Sequence, residues 1–188
     1  MEMFILAGII TGFFSGFFGI GGGTILIPIL LYLGLSFKTA VGVSVTQMMI
    51  SSLFGSYLNY KKGFLKIDDG IFIGIGGSLG AIFSGYLTHN LSDTILGFIF
   101  IFILFFAILK FFYAPSESEK EEVNNRFIFL GVGFFVALIA ISVGVGGAVM
   151  ITPILVGMLH FHLKKAVSLS LFFVVFSSTF GFLSMSYY

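Results

Sequence analysis

The sequence predicts an all-α membrane protein. It is expected to be a polytopic helical bundle of two inverted repeats, each opening with a glycine-broken or re-entrant helix, the second repeat incomplete. Three observations carry this. Hydrophobic residues make up 58% of the 188 and charged residues only 9%, whereas a water-facing surface calls for roughly 25% charged residues. Apolar stretches without an ionisable side chain run over Thr39–Tyr60, Gly70–Thr88, Thr94–Leu109 and Phe127–Leu159, on the scale of the roughly 20 residues that cross a hydrocarbon core. Finally, one pattern of Gly, Pro and Ser occurs twice in the same order.

The elements follow in order. Met1–Glu2–Met3 lacks the basic region of a cleavable leader, so the first apolar segment is expected to belong to the mature protein. Gly8, Gly12 and Gly16 share one face of that segment, a spacing that lets helix backbones touch. Next come Gly19, Gly21, Gly22 and Gly23. Each glycine costs a helix about 1 kcal/mol relative to Ala, so the cluster is expected to unwind it. Thr24 is then the expected N-cap of a second half-helix, with Pro28 one turn inside. The span Thr39–Tyr60 leads to a polar loop, Tyr60–Asp69, and Gly70/Gly74 and Gly76/Gly80 on the following span again have close-packing spacing. A tight turn at His89–Asp93 precedes the span Thr94–Leu109, and Ala114–Arg126 is a hydrophilic, Glu-rich connector. The chain is thereby divided into a first transmembrane repeat (1–113), a hydrophilic loop (114–126) and an incomplete second repeat (127–188).

The duplication is specific. Gly19, Gly21, Gly22 and Pro28 fall on Gly144, Gly146, Gly147 and Pro153 at a constant offset. After one inserted residue, Ala40–Val41 and Ser44 fall on Ala166–Val167 and Ser170, and Ser51–Ser52, Phe54 and Gly55 fall on Ser177–Ser178, Phe180 and Gly181. Internal repeats are the usual architecture of secondary transporters.

Two topologies fit the glycine breaks: one broken crossing, or a re-entrant hairpin that returns to its starting side. The piece from Thr24 to Gly34, about 11 residues, covers only about half the hydrocarbon core. The positive-inside rule favours the hairpin. A single crossing separates Lys38, Lys164 and Lys165 from Lys61, Lys62, Lys66, Lys110, Lys120 and Arg126, whereas hairpins leave Lys38 alone opposite the rest. The hairpin arrangement inverts the second repeat and puts the Tyr60–Asp69 and Ala114–Arg126 loops in the cytoplasm.

Several functions are excluded. Without cysteine there is no thiolate catalysis, disulfide or zinc–sulfur site. The three His lack spaced carboxylates, so no metal site is expected, and no nucleophile–base constellation suggests an enzyme. No Lys follows the glycine cluster as a phosphate-binding loop requires, and position 24 is Thr where a dinucleotide fingerprint has Gly, so neither a nucleotide nor any other cofactor is expected. The few charges sit in loops and give no nucleic-acid surface. No Asp, Glu, Lys or Arg lies deep in a span, so the usual proton or ion relay is missing. What remains is neutral and rich in donors: the two breaks, Ser44 and Gln47 on the second segment, and Ser170 in its repeat. Ser and Thr often bond their own helix carbonyls, but a primary amide in hydrocarbon needs partners, which makes Gln47 a candidate cavity residue. The candidate substrate residues are Gly21, Gly22, Gly23, Thr24, Ser44, Gln47, Gly146, Gly147 and Ser170, because half-helix N-termini with hydroxyls suit an anion better than a cation.

These residues resemble the sulfite exporter TauE/SafE family of membrane permeases. The resemblance rests on the Gly8–Gly16 helix running into Gly19–Ile20–Gly21–Gly22–Gly23–Thr24 and Pro28, on Ala40–Val41–Gly42–Val43–Ser44, and on the second copy from Gly144. It spans essentially the whole chain. It implies export of a small anion, a sulfur oxyanion or organosulfonate such as sulfite or sulfoacetate, by alternating access in a bacterial or archaeal plasma membrane. The expected partners are that anion and the lipid bilayer, with a homo-oligomer also compatible. Family members usually run longer, and the second repeat stops at Tyr187–Tyr188 where the partner of Tyr60 would fall, so a C-terminally truncated or reduced member is expected. The competing functions are a non-transporting assembly or chaperone subunit, and an anion channel.

Overall fold

The structure, a computed structural model, describes residues 8–13, 22–65, 67–112, 122–123 and 125–188. Every regular element among them is a helix: α1 (residues 8–13), α2 (Gly23–Tyr32), α3 (Phe37–Lys61), α4 (Ile67–Asn90), α5 (Asp93–Phe112), α6 (Arg126–Ser142), α7 (Ala148–Gly157) and α8 (Leu163–Tyr187). Three are long and apolar enough to cross a membrane, namely Phe37–Lys61, Gly70–Asn90 and Leu163–Tyr187. The protein is a multi-pass helical membrane protein.

Helix α4 is the central element, and its glycines explain why. A side chain at Gly76 or Gly80 would meet the carbonyls of Leu130 and Phe134 on α6, and one at Gly133 would meet that of Ile73. On another face, Gly70, Gly74 and Gly77 receive the rings of Phe172, Phe176 and Phe173 of α8. Apolar side chains gain little from each other when lipid tails are equally apolar, so backbone approach and fitted rings hold such helices together. The Gly70/Gly74 and Gly76/Gly80 spacings therefore have packing roles, on two different partners, whereas a Cβ at Gly8 or Gly12 of α1 would meet nothing within 4 Å among the described residues, and Gly16 lies outside them.

The order of these contacts gives the directions. Residues 76, 80 and 88 of α4 meet 130, 134 and 142 of α6, and residues 70 and 85 meet 172 and 184 of α8, so α4, α6 and α8 run parallel. Helix α3 runs against them. It starts beside the far end of α4, where Phe37 N–H donates to Asp93 Oδ2 at 3.0 Å and Lys38 Nζ donates to the His89 carbonyl at 2.7 Å. A carboxylate at a helix N-terminus and an ammonium on a C-terminal carbonyl both oppose the local helix dipole.

At the other end of the bundle, α6 and α7 form a hairpin. Arg126 opens α6 and lies over the Phe72 ring at 5.0 Å. The chain leaving α7 returns to the same end: Val123 N–H donates to the Leu159 carbonyl at 3.0 Å, and Lys165 Nζ pairs with Glu122 at 2.7 Å. Lys164 lies 6.0 Å from the centre of the Phe64 ring. Lys164 and Lys165 thus sit with Arg126, on the side that the hairpin topology requires. A helix of 10 residues such as α7 rises only about 15 Å, half the hydrocarbon thickness.

The end of α5 nearest Asp93 is anchored by Leu96 and by the edge-to-face pair Phe37–Phe100, while Phe98, Ile101, Phe102 and Phe105 face outward. Outward phenylalanines on an apolar helix of a membrane protein meet lipid.

Candidate functional site

The second break is built by a stop and a restart. Helix α6 ends with Gly144 in the left-handed region at φ 67°, Gly144 N–H bonded to the Ile141 carbonyl and Val145 N–H to the Ala140 carbonyl. Those two bonds are a Schellman cap, whose left-handed residue is far easier for glycine than for any residue with a Cβ. Gly146, at φ 76°, turns the chain, and Gly147 caps α7. The cluster therefore terminates one helix and starts another, rather than loosening a continuous one.

At the first break the described chain begins at Gly22, which is the N-cap of α2. Thr24, expected as the cap, is instead the second residue of the helix, and Pro28 is its sixth. The cap falls earlier because a glycine can close the first turn without a side-chain bond, and Gly22 accepts Leu26 N–H at 2.9 Å. Gly21, together with Gly16, Gly19 and Ile20, lies outside the described residues.

The two breaks touch. A Cβ on Gly23 would overlap the Gly144 carbonyl and Ser44 Oγ, and Gly144 itself packs on Ile27 and Val41. Ser44, fully buried, donates to that same carbonyl at 2.8 Å across 100 residues of sequence. Gln47, one turn further along α3, lies with its amide against Gly22. Its Nε2 and Oε1 are both buried, and neither has a hydrogen-bond partner among the described residues. An unmet buried amide costs about 1–3 kcal/mol, so a Leu or Met here would give a more stable fold. Around this point, the segments 22–35, 39–60 and 127–159 contain no Asp, Glu, Lys or Arg.

Among the nominated residues, Gly22, Gly23, Ser44 and Gln47 come together, and Thr24 follows Gly23 as a half-buried residue of α2. Gly146 and Gly147 lie on the far side of the turn from Gly144, and Gly147 is filled by the Phe173 ring. Ser170 does not join the first cluster: it donates to the Val167 carbonyl at 2.8 Å and pairs with Thr152 Oγ1 at 3.1 Å, tying α8 to α7. Thr46, Ser51, Ser52, Ser168, Ser177 and Ser178 bond carbonyls of their own helix. The nomination left out Gly144, whose carbonyl is the shared acceptor, and Phe173. Both were within reach of the repeat, since Gly144 matches Gly19 and Phe173 falls where Gln47 stands in the first copy. Thr152 carried no such signal, because its counterpart is Ile27.

A polytopic helical membrane bundle in which the start of α2 meets the turn between α6 and α7 has the kind of interior helix ends found in membrane transporters. Residues 4–188 match the family described as sulfite exporter TauE/SafE, and the chain belongs to that family, one of membrane transporters and not of enzymes. It is 33% identical to a probable membrane transporter protein of Methanocaldococcus jannaschii, over 98% of this chain and 72% of the relative. It is 27% identical to the probable membrane transporter protein YdhB of Bacillus subtilis, over 92% of this chain and 74% of that one. A second Bacillus subtilis relative, YunE, is 25% identical over 96% and 76% respectively. No solved structure matches.

Proposed function

We infer that the protein is a carrier for a small anion, a sulfur oxyanion or organosulfonate such as sulfite or sulfoacetate, exported by alternating access. One observation carries this: the two glycine breaks meet at Gly23 and Gly144 beside a buried, unpartnered Gln47 amide, in surroundings with no fixed charge. Irregular backbone at membrane depth is tolerated where it lines a cavity or is packed in protein, and helix starts with donor side chains favour anions. Gly21, Gly22, Gly23, Thr24, Ser44, Gln47, Gly146, Gly147 and Ser170 line the proposed path, with the Gly22–Gln47–Ser44 cluster as its core. The halves that move are residues 1–113 and 127–188, joined by 114–126. The antiparallel course of α3 and α8, which carry matching repeat blocks, supports an inverted relation between them. The family description supplies the sulfur chemistry.

The test is counterflow of radiolabelled sulfite or sulfoacetate in proteoliposomes, comparing the chain with Gly22→Leu. Saturable counterflow lost in the variant is expected. Non-saturating current without counterflow would indicate a channel, and folded protein inert toward both anions would overturn the assignment.

A further inference from the structure

The chemistry of Gln47 restricts which anion the first break can hold. A carboxamide presents two N–H donors and one carbonyl acceptor, and here both ends are buried and unpartnered among the described residues. A flip of the amide does not alter this, since either orientation leaves one donor end and one acceptor end facing Gly22. An anion with no proton of its own satisfies the donor end alone and brings its negative oxygens against the carbonyl end. An anion that keeps one acidic proton satisfies both, accepting from N–H and donating O–H to Oε1. A second, independent constraint is charge. The surrounding segments supply no Lys or Arg, and neutral dipoles compensate one buried charge far better than two.

Resting on the anion-carrier reading, we propose that the site at the first break selects monoprotonated oxyanions, with Gln47 as the residue that reads the proton. Hydrogensulfite, one negative charge with one O–H, has that form; the sulfite dianion does not. The repeat-equivalent position, Phe173, has neither donor nor acceptor and is packed into Gly147 and Gly77, so the discrimination belongs to one break only.

Two probes separate the proton from shape and charge. Hydrogen methylphosphonate and methanesulfonate share a tetrahedral centre, a methyl group and one negative charge, and differ by one O–H. Isothermal titration of the detergent-solubilised full chain with each, at a pH where the phosphonate is the monoanion, is expected to show the phosphonate binding at least about tenfold tighter, the scale of one unmet buried acceptor. In Gln47→Leu, which exchanges the amide for an apolar group of similar size, that ratio is expected to fall to about one. Binding of sulfite at fixed total concentration is expected to weaken as pH rises through its second ionisation. Equal affinity for both probes in the parent chain, with binding lost in Gly22→Leu, would overturn the proton selection while leaving the anion site standing. A preference that survives Gln47→Leu would overturn the assignment to Gln47. Failure of both probes and of sulfite to bind folded protein would overturn the site itself.

Discussion

The two glycine breaks occupy equivalent places in the sequence repeat, yet they meet opposite surroundings. Gly22 lies against the Gln47 amide, and its counterpart Gly147 lies against the Phe173 ring. Phe173 is fully buried, and its ring also fills the notch at Gly77 on the central helix. The second break is thereby closed with hydrocarbon and fastened to the scaffold. The first retains a polar group whose hydrogen bonds are unmet. At matching positions of the sequence repeat, one side chain decides the surroundings: a phenylalanine ring at Gly147 and a primary amide at Gly22.

The largest effect is expected from removing the plug. Phe173→Ala empties the space between Gly147 and Gly77, with an expected loss of about 3–5 kcal/mol, read as a large drop in the thermal midpoint or in yield of monodisperse protein. Next, Gly23→Val drives a Cβ into the Gly144 carbonyl and Ser44, neither of which can swing aside as a long side chain would. A loss of about 3 kcal/mol is expected, with the same readout, and an unchanged midpoint would show that the breaks do not touch. Making the first break resemble the second, by Gln47→Phe, is expected to leave the stability within about 1–3 kcal/mol of the parent and to abolish anion binding in titration. Ser44→Ala removes the hydroxyl that spans the two breaks, with an expected cost of about 0.6–1.7 kcal/mol for a hydrogen bond within a membrane protein. The smallest effect belongs to Glu122→Gln. Its pair with Lys165 is partly exposed, with side chains 26% and 32% accessible for Lys165 and Glu122, and about 0.5 kcal/mol, weakened further by salt, is expected.

Much of this was legible in the sequence because membrane proteins announce their helices by composition and their breaks by glycine. The spacing of Gly70, Gly74, Gly76 and Gly80 marked close packing, and the placing of Lys164 and Lys165 marked the return of the α6–α7 hairpin. Two things were not legible. Gly144 belongs to a cluster that the sequence marks only as unwinding a helix, but its action is a defined Schellman stop, which depends on φ and on bonds to Ala140 and Ile141. Side-chain composition does not record which carbonyl a serine will choose: Ser44 and Ser170 hold equivalent positions, yet one crosses to the other break and the other stays with its own helix and Thr152. The difference arises from which backbone lies within reach, a property of packing alone.

The absence of Asp, Glu, Lys and Arg from the segments that meet at the breaks also bears on energy conversion. A carrier that held a fixed counter-charge beside its cargo would make the loaded step neutral and leave the voltage to act on the return of the empty site. With only dipoles around it, a monovalent anion moves its whole charge through the field, which is worth about 2.3 kcal/mol per 100 mV. For the anion carrier proposed above, a negative cell interior favours the outward journey, so the resting potential would act on the loaded step itself.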